Sequence, residues 1–165
     1  IMDPQVSFTY SPKAGVPYSI RVHAEIEYLH KMLDYINKGL ELMEAAPSAN
    51  DKLDELINLG KFIRNTVITG INAKTLQSYR HKLLASEDKA EIISLAEKIE
   101  QLIKDEMKNA EDTIPIVEKD SRLGWEPSME YMTDRWHLEW KLRQCQYVLD
   151  NEIPTIRKAV DCIKD

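Results

Sequence analysis

From Ile26 onward, apolar residues return every three or four positions. Ile26, Leu29, Leu33, Ile36, Leu40 and Met43 form the first such row. That spacing puts them on one face of a helix as a heptad-like seam, with polar residues on the wet face. It predicts a first helix over 19–45, stopped by Ala46-Pro47-Ser48. A second row, Leu53, Leu56, Leu59, Phe62, Ile63, Val67 and Ile71, predicts a second apolar stripe and a helix running to about Leu84. Ser48 or Asn50 can cap its start, and Asp51 and Glu55 follow near the positive end of the helix dipole. Gly60 and Gly70 interrupt this row. A glycine inside a helix costs about 1 kcal/mol relative to alanine, so a close helix–helix approach or a kink has to account for each. A third row, Ile92, Ala96, Ile99, Ile103, Met107, Ala110 and Ile114, predicts a helix capped by Ser86 and ended or kinked at Pro115.

The remaining segments are less periodic. Residues 119–132 contain Gly124 and Pro127 and read as a long loop. Thr133, as N-cap, and Asp134 open a fourth helix lined by Trp136, Trp140, Leu142, Val148 and Leu149. Pro154 makes 152–164 either a short fifth helix or a kinked continuation. At the other end Val6, Phe8 and Tyr10 alternate between Pro4, Pro12 and Pro17, so 1–19 reads as an extended arm. The expected fold is all-α: an antiparallel helical bundle of four to five helices over 20–165, with an extended N-terminal arm.

Composition narrows the function classes. At 165 residues, 43% apolar and 30% charged, the chain suits one globular domain rather than a disordered segment. Its net charge is −6 and its basic residues are interspersed with acidic ones, so no nucleic-acid partner is expected. No apolar run reaches the roughly 18–20 residues of a membrane span. The opening Ile1-Met2-Asp3 reads as a segment taken from a longer protein. Residues 1–19 carry no signal-peptide pattern, so any targeting signal is expected further upstream. Cys145 and Cys162, seventeen positions apart, match no metal motif and read as buried free thiols.

Two short patterns resemble metal half-sites: Glu27-x-x-His30 and the acidic analogue Asp134-x-x-His137. A di-iron bundle pairs such motifs with inward glutamates on two further helices. Here Glu27 lies off the seam of the first helix, and the apolar rows of the second and third helices leave no inward glutamate. No metal or other cofactor is expected. No Gly-x-Ser-x-Gly, phosphate loop or His-Glu-x-x-His occurs, so no catalytic residue is assigned. The chemistry that stands out is aromatic. All three tryptophans fall within 125–140, which makes Arg122, Trp125, Glu126, Tyr131, Arg135, Trp136, His137 and Trp140 the candidate ligand-binding or interface residues. Aromatic faces stack on sugars or peptides while Arg and Glu fix orientation. The competing reading is structural: Trp136 and Trp140, one turn apart, cover the end of the core.

The phrase Leu59-Gly60-Lys61-Phe62-Ile63-Arg64-Asn65-Thr66-Val67-Ile68-Thr69-Gly70-Ile71-Asn72-Ala73-Lys74 resembles a segment near the C-terminus of large glycoside-hydrolase-like proteins of gut bacteria. So does Ala110-Glu111-Asp112-Thr113-Ile114-Pro115-Ile116-Val117-Glu118, running into Asp120-Ser121-Arg122-Leu123-Gly124-Trp125-Glu126-Pro127 and ending at His137-Leu138-Glu139-Trp140-Lys141. Together these phrases cover about a third of the chain. The resemblance implies a non-catalytic helical accessory region beside a catalytic barrel, in an exported carbohydrate-processing protein. The catalytic carboxylates would then sit on the barrel. The partners it implies are the neighbouring domain of the parent chain and a glycan; an oligomer contact is a further expectation. The alternative from another class is a stand-alone helical protein-interaction module.

Overall fold

The computed structural model describes residues 18–47, 50–126 and 131–162. The chain is all-α. Its helices are α1 (Tyr18–Glu44), α2 (Asp51–Ala85), α3 (Lys89–Lys119), α4 (Arg135–Tyr147) and α5 (Ile153–Val160), the last two joined by a π-helical turn, Val148–Glu152. Residues 1–17 of the expected arm lie outside the described residues, and Tyr18 and Ser19 already belong to α1. No helix among the described residues is long and apolar enough to cross a membrane.

Side-chain caps fix where helices begin. The Asn50 side chain accepts the Leu53 N–H at the start of α2. The α3 cap is Asp88, not Ser86. The Asp88 carboxylate takes the N–H groups of Ala90 and Glu91, while Ser86 terminates α2. A carboxylate at this position satisfies two otherwise orphaned donors at the positive end of the helix. The cap of α4 is Asp134, which accepts the His137 N–H. Thr133 is committed elsewhere: its N–H donates to the Gly124 carbonyl across a small hairpin. That hairpin corrects the reading of 119–132 as a plain loop. Its strands β1 (Trp125–Glu126) and β2 (Tyr131–Met132) pair antiparallel, with Trp125 opposite Met132 and Glu126 opposite Tyr131.

Neither internal proline ends a helix. α3 runs through Pro115 to Lys119. At Pro154 the helical path continues because the preceding turn widens to a π turn. There Asn151 Nδ2 donates to the Tyr147 carbonyl, and Thr155 Oγ1 donates to the Asn151 carbonyl. Pro154, which has no N–H to donate, sits in the first turn of α5, where its fixed φ suits a helix start.

The broad helix contacts join α1 to α2, α2 to α3, and α3 to both α4 and α5. Rising residue numbers on one helix meet falling numbers on the next: Glu25 with Lys74 and Glu44 with Lys61, then Asn65 with Thr113 and Thr69 with Glu106, then Glu106 with Lys141 and Glu118 with Arg135. Gly60 is explained by close approach. A Cβ there would lie 2.9 Å from Leu40 Cδ2 of α1. Two apolar clusters sit around α3. One holds Ile99, Ile103 and Ile153 with Leu76, Leu83, Cys145 and Ile156 against them; the other holds Ala110, Val117 and Leu138 with Phe62, Ile114, Leu123 and Leu142.

The second helix departs most from the pattern read in the sequence. Leu56, Leu59 and Ile63 are exposed. The face of α2 that meets α3 carries Asn58, Asn65, Thr69 and Asn72 instead, and Asn58 and Asn65 are buried. Val67 and Ile71 of the predicted row are buried and Phe62 packs on the second cluster, so the row is split between core and surface.

Candidate functional site

The candidate residues lie along the turn after α3, the hairpin and the first two turns of α4. Gly124 sets the hairpin's entry. Its φ of 71° is the left-handed region open to glycine, and a Cβ there would meet Thr133 Cβ at 2.6 Å and Phe62 Cζ at 3.0 Å. Trp125, Glu126 and Tyr131 stand in the hairpin strands, and their side chains lie outside the described residues.

Three of the polar candidates are engaged locally. Arg122 folds back on Asp120, with Nε to Oδ1 at 2.8 Å and Nη2 to Oδ2 at 2.7 Å. That guanidinium, helped by the Arg122 backbone N–H, draws the Asp120 carboxyl down to about 2. Arg135 bridges Glu118 on α3 at 2.6 Å and Glu139 on its own helix at 2.8 Å. His137 Nδ1 sits 2.7 Å from the Asp134 carboxylate, which the His137 backbone N–H, followed by its side chain, holds below the usual carboxylate range. Asp134-x-x-His137 is therefore a helix cap. Among the described residues no group of three or more His, Cys, Asp or Glu is placed to hold a metal ion.

The aromatic candidates behave differently. Trp136 is 59% exposed and Trp140 48% exposed, while Leu138, between them in sequence, is buried in the second cluster. The two indoles lie parallel, 7° apart in plane, with centroids 6.2 Å apart. The His137 ring meets Trp136 edge-on at 4.8 Å, and the Arg143 guanidinium lies 5.3 Å from the Trp140 ring centre. Trp140 and Arg143 form one rim of a groove of about 950 Å³. Its floor is Ile99 and Ile103 of α3, its walls Leu76, Leu83 and Leu84 of α2 and Val148, Ile153 and Ile156 beyond α4. The charged residues along it are Arg80, Arg143 and Glu152. Cys145 also lines it, and burial pushes its thiol up, away from the reactive thiolate, whereas Cys162, expected to be buried, is exposed near the end of the described chain.

Between the two apolar clusters lies a polar cluster the sequence reading missed. Glu106 of α3 points inward, its side chain 13% exposed, which corrects the expectation of no inward glutamate there. It accepts from Thr69 Oγ1 at 2.7 Å and Asn72 Nδ2 at 2.7 Å, and it pairs with Lys141 of α4. Asn109 Nδ2 donates to Thr69 Oγ1 at 3.0 Å and to the Asn65 carbonyl at 2.9 Å; Asn65 Nδ2 donates to Thr113 Oγ1 at 2.9 Å. The signal that could have found it is Asn58, Asn65 and Asn72, each seven residues from the next on one helix face. The acid is paired and its oxygens are filled, so the cluster ties three helices together and presents no free base.

No protein-family model, curated protein or solved structure matches the chain.

Proposed function

We propose that this chain is a non-catalytic helical module that works by binding. Its helices form an antiparallel bundle, a reading supported by the opposed order of the residue pairs that join successive helices. The observation that carries the function is the apolar groove over α3 with the exposed indole of Trp140 at its rim, stacked parallel to that of Trp136. A groove floored by isoleucines and walled by leucines takes an apolar helix face, as helix-in-groove recognition does elsewhere. Two arginines against one glutamate on its edge, in a chain of net charge −6, favour a ligand helix whose flanks are acidic.

The test is tryptophan emission during titration with a synthetic amphipathic helix that carries leucines at three- and four-residue spacing and flanking glutamates. We expect a saturable blue shift, weakened at least tenfold by Trp140→Ala and by Leu84→Glu at the exposed end of the groove. A peptide that leaves the emission unchanged sinks the reading.

The exposed indole pair beside Arg143 also supports the second reading, in which the module is an accessory domain of a larger exported carbohydrate-processing protein and lends this surface to a glycan. Titration with soluble glycans separates the two. An emission shift with glycan but not with peptide selects the second reading.

A further inference from the structure

The arginines of this chain are used in two ways. Arg122, Arg135 and Arg157 each hold a carboxylate of the same chain, the last reaching from α5 to Glu100 of α3 at 2.5 Å. Arg80 and Arg143 do not. Among the described residues neither has an ion-pair partner, and both line the groove over α3, Arg80 from α2 and Arg143 from α4. The Trp140 ring, 5.3 Å from the Arg143 guanidinium, holds that group from one side and leaves its N–H donors available. An unpaired guanidinium beside an apolar surface is a site for a carboxylate, which its planar fork can grip with two parallel hydrogen bonds.

The space between the two arginines has the dimensions of a small-molecule site. Its volume of about 950 Å³ falls within the range of organic-ligand pockets. Ile99 and Ile103, its floor, are each 6% exposed, so the floor is closed from beneath. The α2 wall from Leu76 to Leu84 and the facing side from Trp140 to Val148 each run for about 12 Å, at a helical rise of about 1.5 Å per residue. One acyl layer of a bilayer, half of its roughly 30 Å of hydrocarbon, is about 15 Å deep. A single extended alkyl chain therefore lies along most of this floor, and each methylene removed from water adds to its binding.

We propose that the groove binds a free long-chain carboxylate, with the alkyl chain on Ile99 and Ile103 and the head group between Arg80 and Arg143. The proposal rests on the groove itself and not on its taking a helix. Charge complementarity selects the head group. The two arginines outnumber Glu152, the acid that lines the same groove. An amphiphile of equal chain length with a cationic head buries the same apolar surface and leaves both guanidiniums unpaired.

The test is titration of the full chain with myristate held below its micelle concentration, read by calorimetry and by tryptophan emission. We expect one myristate per chain and a saturable blue shift. Tetradecyltrimethylammonium, with the same chain length and a cationic head, should bind at least tenfold more weakly. Octanoate, with the same head and a shorter chain, should also lose at least tenfold. Arg80→Gln/Arg143→Gln should bind myristate at least tenfold more weakly with the helical circular-dichroism signal intact. The single variant Arg143→Gln, at an exposed position, should lose at least threefold and keeps the comparison if the double variant fails to fold. Absence of saturable myristate binding overturns the proposal, as does equal affinity for the ammonium amphiphile or full affinity in the Arg143→Gln chain. A chain that binds the glutamate-flanked helix but not myristate overturns this proposal alone. One that binds myristate but not the helix supports it and sinks the helix reading.

Discussion

Gly124 and Asp120 show how single residues hold the turn that leads into α4. Gly124 combines a left-handed backbone with two side chains within 3.0 Å of where a Cβ would stand. Gly124→Ala should therefore lower stability by about 1–3 kcal/mol, read as a drop in the urea midpoint with unchanged slope. Asp120 makes a pH prediction. Its folded carboxyl titrates near 2, below its ordinary 3.8, so its contribution is fully present above pH 4 and is lost as pH falls through 2. The Asp120 side-chain carbon resonance should follow that low titration. Arg122→Ala should return it to the ordinary carboxylate range. A wild-type midpoint near 4 would remove Arg122 as the cause.

At the scale of elements, the three long helices were legible in the sequence and their contents were only half so. The rows on α1 and α3 face neighbours as their spacing predicts, although α1 also carries Tyr28, Tyr35 and Leu42 exposed on another face. α2 buries Val67 and Ile71 of its predicted row but leaves Leu56, Leu59 and Ile63 exposed, because its asparagines also take part in the contact with α3. Asn65, Asn109 and Thr113 are buried because each finds a partner on the facing helix, a property of the pair that one helix's periodicity cannot register. The caps were missed by one or two positions for a related reason: Ser86 and Thr133 are competent caps, but Asp88 and Asp134 accept the donors. Of the candidate residues, sequence located the exposed indoles. It could not locate the groove beside them, which three separated segments build.

Two variants test the elements. Lys141→Met leaves the Glu106 carboxylate largely buried with only neutral donors, and should cost about 1–3 kcal/mol. The double variant Lys141→Met/Glu106→Gln should recover part of that loss. Pro115→Ala should do the opposite. It removes a ring from inside α3 and restores a backbone donor there, raising stability by about 1–3 kcal/mol in thermal or denaturant unfolding.

For the whole molecule, the order of contacts matters more than the number of helices. α3 is the hub: it meets α2, α4 and α5 and supplies buried residues from Ile92 to Val117. α1 stands at the edge of the row. Its broad contact is with α2, and Val22 and Leu40 are its fully buried apolar residues. A helix held on one side can open while the rest stays folded, so the chain should come apart in stages. Backbone amides of α1 should exchange with solvent at a lower opening free energy than those of α3. Because most tertiary contacts join segments adjacent in sequence, little loop-closure entropy stands in the way of re-formation, and α1 should close again quickly on its neighbour.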